Sequence, residues 1–202
     1  MAGRPWGSRP VLGKGVNETA VPDDAVVLPP ARRLAQGLAA LRVFVGVIFL
    51  ANGVAKLVGI TSVTLGPFTA NLIDRDAMRF ILRYEGLENP AGGGPGSQVP
   101  GVQAAARFLL DNFDLVQWVV TAAEVGVGLL LVLGLASRGA ALVGLAQQVC
   151  LALLYASSNR WLFEQPHEYV PLAILLLVPA GRLWGLDGRL RWAPARAGRF
   201  PF

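Results

Sequence analysis

Four apolar stretches constrain this chain more than anything else in it. They run over residues 38–60 (LAALRVFVGVIFLANGVAKLVGI), 115–136 (LVQWVVTAAEVGVGLLLVLGLA), 140–157 (AALVGLAQQVCLALLYAS) and 169–185 (YVPLAILLLVPAGRLWG). A helix needs about 20 residues to cross the hydrocarbon core of a bilayer, within a range of roughly 17–25. The first two stretches meet that length, and the last two sit at its short end. Lipid offers the backbone no hydrogen-bond partners, so an isolated apolar span must be helical. The fold class expected is all-α: a polytopic integral membrane four-helix bundle. Charge is scarce, at 15% of the 202 residues, where a soluble domain carries about a quarter. Most of that charge lies in the tails and in two loops, as wet segments between membrane spans require.

The long connection, 61–114, exceeds a turn. Within it, IDRDAMRFILRYE (73–85) places Arg75, Arg79 and Arg83 at every fourth residue, with Ile73, Ala77, Phe80, Ile81 and Tyr84 on the opposite face. That periodicity predicts an amphipathic helix lying on the membrane surface. AGGGPGSQVPG (91–101) reads as a flexible break, and 103–113 as a second amphipathic segment. Residues 1–37 and 191–202, rich in Arg, Pro, Ala and Gly, read as a disordered tail and a basic tail. Arg32-Arg33 before an apolar run resembles a twin-arginine signal. The run continues through Leu57 with no small-residue cleavage site, so a retained anchor is expected.

Orientation follows from Lys and Arg near the spans, which accumulate on the cytoplasmic side. Arg32, Arg33, Arg138, Arg182, Arg189, Arg191, Arg196 and Arg199 fall on one side, and Arg75, Arg107 and Arg160 on the other. Both termini are therefore expected in the cytoplasm of a bacterial cell, with 61–114 and 158–168 outside the plasma membrane. The net charge of +5 is not gathered into a patch interleaved with aromatics, so no nucleic-acid partner is expected. One cysteine, Cys150, excludes an internal disulfide or dithiol relay, and it reads as an inert buried thiol. One histidine, His167, excludes paired haem ligands within the chain. No metal, haem or flavin site is evident.

Ionisable groups inside a span cost at least ~2.5 kcal/mol each, so they need a partner or a role. Glu124 lies about 13 Å inside the outer end of the second span. Gln117, Thr121, Glu124 and Gly128 share one helical face. On the first span, Asn52 falls at the depth of Glu124, and Lys56 lies one turn further out. The spacing predicts a Lys56–Glu124 ion pair with Asn52 beside it. The third span adds Gln147, Gln148 and Tyr155, and His167 opens the fourth. Two interpretations stand side by side: these groups merely fix helix packing, with Gly126, Gly128, Gly134, Gly139 and Gly144 as close-contact positions, or they line a substrate or quinone pocket opening outward.

Three motifs resemble the DoxX/DoxD superfamily of four-span membrane proteins. Arg42, Gly46, Phe49, Gly53 and Lys56 follow R-x3-G-x2-F-x3-G-x2-K. Glu124, Gly128, Gly134 and Arg138 follow E-x3-G…G-x3-R. Gly181 to Asp187 resembles the family's G-x4-LD ending. The resemblance spans 38–190, and the long loop is more similar to DoxD than to compact DoxX members. DoxD is the membrane subunit of a thiosulfate:quinone oxidoreductase, and the resemblance implies a DoxD-like component of a quinone-linked redox system. In that role Glu124, Lys56 and His167 would be catalytic. Asn52, Gln117, Thr121, Gln148 and Tyr155 would bind substrate, Arg42, Arg138 and Asp187 would be structural, and quinone would be a substrate. The rival expectation is a non-catalytic scaffold or accessory subunit of a redox or respiratory complex; a small-solute transporter ranks below both. The partners expected are the lipid bilayer, other membrane or redox subunits, and a second copy of the chain.

Overall fold

The computed structural model describes residues 31–88, 96–158, 166–189 and 200–201. The assignments made to 1–30, 91–95, Arg160, 190–199 and Phe202 lie outside them.

Four apolar helices form the bundle. Helix α1 (Ala31–Val58) is 28 residues, about 42 Å at 1.5 Å per residue. It begins seven residues before the apolar stretch, so 31–37, assigned to the tail, is helical. The reason is local: Ala31, Leu34, Ala35 and the arginines are strong helix formers. Most of its buried residues, Ala39, Arg42, Val45, Phe49, Gly53 and Lys56, recur every three or four positions and define one inward stripe, with Gly46 and Ala55 buried beside it.

The chain then makes an element that an all-helical reading of the loop did not contain. Strands β1 (Ser62–Leu65) and β2 (Phe68–Asn71) pair antiparallel. Gly66 at φ 59° followed by Pro67 joins them, and a primed hairpin turn needs this positive φ at its first central residue. Helix α2 (Arg75–Arg83) is capped by Asp74, whose carboxylate accepts the Ala77 N–H at 2.8 Å. One π turn (Tyr84–Glu88) follows. Helix α3 (Val102–Asp111) starts after Gly101 at φ 83° and meets α4 (Phe113–Leu133) across a break at Asn112. Gly134, in the left-handed region, ends α4, and α5 (Ser137–Tyr155) turns back along it. Helix α6 (Pro166–Leu177) opens with proline at its first turn.

Three of these helices, α1, α4 and α5, are long and apolar enough to cross a membrane. Helix α6 has 12 residues, about 18 Å, and stops well short of position 185. Val178-Pro179 explains the early end, because a residue before proline is pushed out of the helical region. Helix α1 packs along α4, α4 along α5, α5 along α6, and α6 returns to α1. The core between them is Val45, Phe49, Val127, Leu131, Ala141, Leu172 and Leu175.

The α1–α4 contact is close because glycines face backbone. A Cβ on Gly128 would lie 2.5 Å from the Leu50 backbone nitrogen, and one on Gly46 would lie 2.8 Å from that of Val132. Gly144 is tightly packed too, but a Cβ on Gly126 would meet nothing within 4 Å, so Gly126 is not a contact position.

Candidate functional site

Two polar assemblies sit at opposite ends of the bundle. At the end carrying the termini of the helical domain, the segment after α6 folds back under α4 and α5. Asp187, buried at 4% exposure, accepts the Ala136 N–H at 2.9 Å and the Ser137 N–H at 3.5 Å. These are orphan donors at the start of α5, and a carboxylate there complements both the hydrogen bonds and the helix dipole. The buried Arg42 guanidinium donates to the carbonyls of Ala180 and Trp184 at 3.3 and 3.1 Å and lies in the field of Asp187. Gly134, Gly181 and Gly185 leave the space for these side chains: a Cβ on Gly134 would collide with the guanidinium, and one on Gly181 with the carboxylate. Arg138 donates to Leu176 O at 2.9 Å and stacks over Phe200. Arg42, Arg138 and Asp187 thus tie the last segment to three helices.

At the other end, Lys56 Nζ lies 2.8 Å from Glu124 Oε2, with side-chain exposures of 2% and 9%. The ammonium also donates to Ile73 O at 2.8 Å. Asn52 Oδ1 accepts the Ile73 N–H at 3.1 Å, and its amide donates to Ile48 O. Two side chains one turn apart on α1 therefore hold both polar groups of a single loop peptide position. Gln147 Nε2 donates to Glu124 Oε1 at 2.8 Å. Gln147 and the Ile73 backbone, not Gln148, complete the coordination of the pair. The α5 periodicity alone could not choose between two adjacent glutamines; their phase relative to α4 does.

The remaining candidates are arranged around this pair without joining it. Thr121 donates to Gln117 O at 2.6 Å and Gln117 to Asp114 O at 3.3 Å, so both bond within α4. Gln148 is buried beside the Glu168 carboxyl, and its Oε1 has no partner among the described residues. Tyr155 lies in the fields of Glu85 and Glu168. His167 is 56% exposed, with Nε2 at 3.9 Å from Glu168 Oε1. Glu168, which the sequence reading left out of the site, lies near both His167 and Gln148. Cys150 is exposed on the outside of α5, not buried as expected.

The loop closes over this end. Buried Ser97 donates its N–H to Gly86 O and accepts from Ser157 Oγ, while Gln103 donates to Ser97 O. Arg75 lies over the Trp118 ring at 4.8 Å and Arg79 over Phe113 at 5.1 Å, so the basic face of α2 grips the start of α4. A cleft of about 310 Å³ exists elsewhere, on the outer side of α1, lined by Val47, Leu50, Val54 and Val63. It does not reach Lys56 or Glu124.

The sequence profile of DoxX matches residues 37–157, more than half of the chain. That span holds most of α1, the loop, α4 and α5, and nearly all of it belongs to the part described above. No curated protein matches the chain, and no solved structure matches it.

Proposed function

The chain belongs to the DoxX family of membrane proteins, and on that premise we propose that it is an accessory membrane subunit of a quinone-linked redox system in the bacterial plasma membrane. The observation behind this is the closed coordination of Lys56 and Glu124. Among the described residues the two charges are held by each other, by Gln147 and by the Ile73 carbonyl, and Lys56 and Asn52 both hydrogen-bond the loop backbone at Ile73. A charge paired this way is a fastener: it holds the loop to the bundle end and leaves the lipid-facing helices to contact other subunits. The loop end faces outward and both termini face the cytoplasm.

A second reading is favoured by Glu168. It reaches toward Gln148 on one side and His167 on the other, which carries polar groups from an exposed position into the bundle. In the DoxD-like reaction, two thiosulfates lose two electrons as the S–S bond of tetrathionate forms, and a quinone takes those electrons with two protons. Glu168 and Glu124 would then supply the protons, with Lys56 attracting the anion.

The two separate in one assay, thiosulfate-dependent reduction of a short-chain quinone. The accessory reading expects the purified wild-type chain to be inactive and a complex isolated in mild detergent to contain a second redox subunit. Reduction by the purified chain alone, lost in Glu124→Gln and Lys56→Met, would overturn it in favour of catalysis.

A further inference from the structure

The β1–β2 hairpin has two chemically different faces. Side chains alternate along a strand, and the register pairs Val63 with Ala70 and Leu65 with Phe68, while Ser62 pairs with Asn71 and Thr64 with Thr69. One face is therefore Val63, Leu65, Phe68 and Ala70, and the other is Ser62, Thr64, Thr69 and Asn71. On the polar face the Thr64 and Thr69 hydroxyls meet at 3.2 Å. On the apolar face Leu65 is 75% exposed and Phe68 77%. An isolated two-stranded hairpin is marginal in water, and the tip of its apolar face, Leu65 and Phe68, is largely uncovered.

That face adjoins the cleft on α1. Val47, Leu50, Ala51 and Val54 form its floor, and Ile60 and Val63 stand at the hairpin end. The cleft is continuous with a surface that already faces lipid, since Val47, Val54, Leu57 and Val58 are exposed on a helix long enough to span a membrane. From Val47 to Ala55 the α1 wall of the cleft runs about 12 Å at 1.5 Å per residue, comparable to much of one leaflet of a hydrocarbon core ~30 Å thick. The lining is apolar and open along its length, so it suits a flexible hydrocarbon chain and offers nothing to a polar solute.

We propose that the hairpin is an amphipathic blade lying in the membrane interface, its apolar face turned into the leaflet, and that the cleft beneath it seats an acyl chain of a bilayer phospholipid. Leu65 and Phe68 reach the hydrocarbon, while Ser62, Thr64, Thr69 and Asn71 face the headgroups and water.

The test uses the full chain in phosphatidylethanolamine/phosphatidylglycerol vesicles, with Cys150→Ala as background and one nitroxide at a time on Leu65→Cys, Phe68→Cys, Thr64→Cys or Thr69→Cys. The expected result is oxygen access at least threefold higher than nickel-chelate access at Leu65 and Phe68, with the order reversed at Thr64 and Thr69. Equal access at all four positions would overturn the blade. So would exclusion of both reagents at Leu65 and Phe68, which would mean a second copy covers them. For the cleft, mass spectrometry of the intact protein in mild detergent should find a retained phospholipid, lost in Ala51→Trp and kept in Ala122→Trp, a substitution at an exposed site on α4. A retained quinone in place of phospholipid, or equal retention in both variants, would overturn the acyl-chain site. Correct elution of each variant as a monodisperse species shows that it has folded.

Discussion

Lys56 shows what a buried charge demands of its neighbours. Its ammonium is 2% exposed and has Glu124 and the Ile73 carbonyl as partners. Removing one member of such a pair leaves the other charge buried and uncompensated, which costs about 3–5 kcal/mol. Lys56→Met and Glu124→Gln should each lower the midpoint of thermal unfolding in detergent, Lys56→Met more, because it strands a carboxylate and frees Ile73 O as well. The double variant Lys56→Met/Glu124→Gln should be clearly less destabilised than the two single losses combined. Strict additivity would show that the two groups do not act as a pair. Asp187 poses the same test at the opposite end. Asp187→Ala removes the acceptor for Ala136 and Ser137 and leaves Arg42 in a buried site without its nearby anion. Asp187→Asn keeps one acceptor oxygen, so it should unfold at a temperature between Asp187→Ala and wild type.

At the scale of elements, the contact between α1 and α4 rests on which glycines face a backbone. Gly128 faces Leu50, and Gly126 faces open space. Gly128→Leu should separate the two helices, because the atom in the way is main chain and cannot swing aside; Gly126→Leu should be tolerated. Thermal unfolding of the pair, with cross-linking between α1 and α4 as the structural readout, checks this, and equal damage from both would refute the contact. The contrast also marks what the sequence could tell. Helix identity was legible, because hydrophobic runs of this length have one solution in lipid. The Lys56–Glu124 pair was legible as well, since two lone charges at matching depth must meet. Gly126 and Cys150 were misplaced because each depends on the rotational phase of a helix that is apolar around most of its circumference; without a broad polar face, periodicity does not say which side points inward. The hairpin was missed for another reason. VTLGPFTA carries β-branched residues around Gly-Pro, a hairpin signature, but a loop already holding amphipathic helices draws attention to the 3.6-residue period.

For the whole molecule, orientation follows from charge, and the charges bear on it unevenly. Arg32, Arg33, Arg138, Arg182 and Arg189 lie at the end shared by the start of α1, the α4–α5 turn and the segment after α6. The loop end holds Arg75, Arg79, Arg83 and Arg107. Two of the loop arginines lie against aromatic rings and a third pairs with Glu88. Acidic residues there, Asp74, Asp76, Glu85, Glu88, Asp111 and Asp114, offset the positive charge further, although acidic residues weigh little in setting orientation. The arginines at the tail end lie close to the ends of the helices, where the positive-inside bias is strongest. The tail end is therefore expected in the cytoplasm. In a Cys150→Ala background, Thr64→Cys should react with a membrane-impermeant maleimide in intact cells, and Arg32→Cys only after permeabilisation. Thr64 sits on the polar face of the hairpin and does not touch the pair, so a folding defect would not mimic the result. The reverse labelling pattern would place His167, Glu168 and the Lys56–Glu124 pair at the cytoplasmic face. An extracellular sulfur anion could not reach them there, and the proton route would draw on the cell interior.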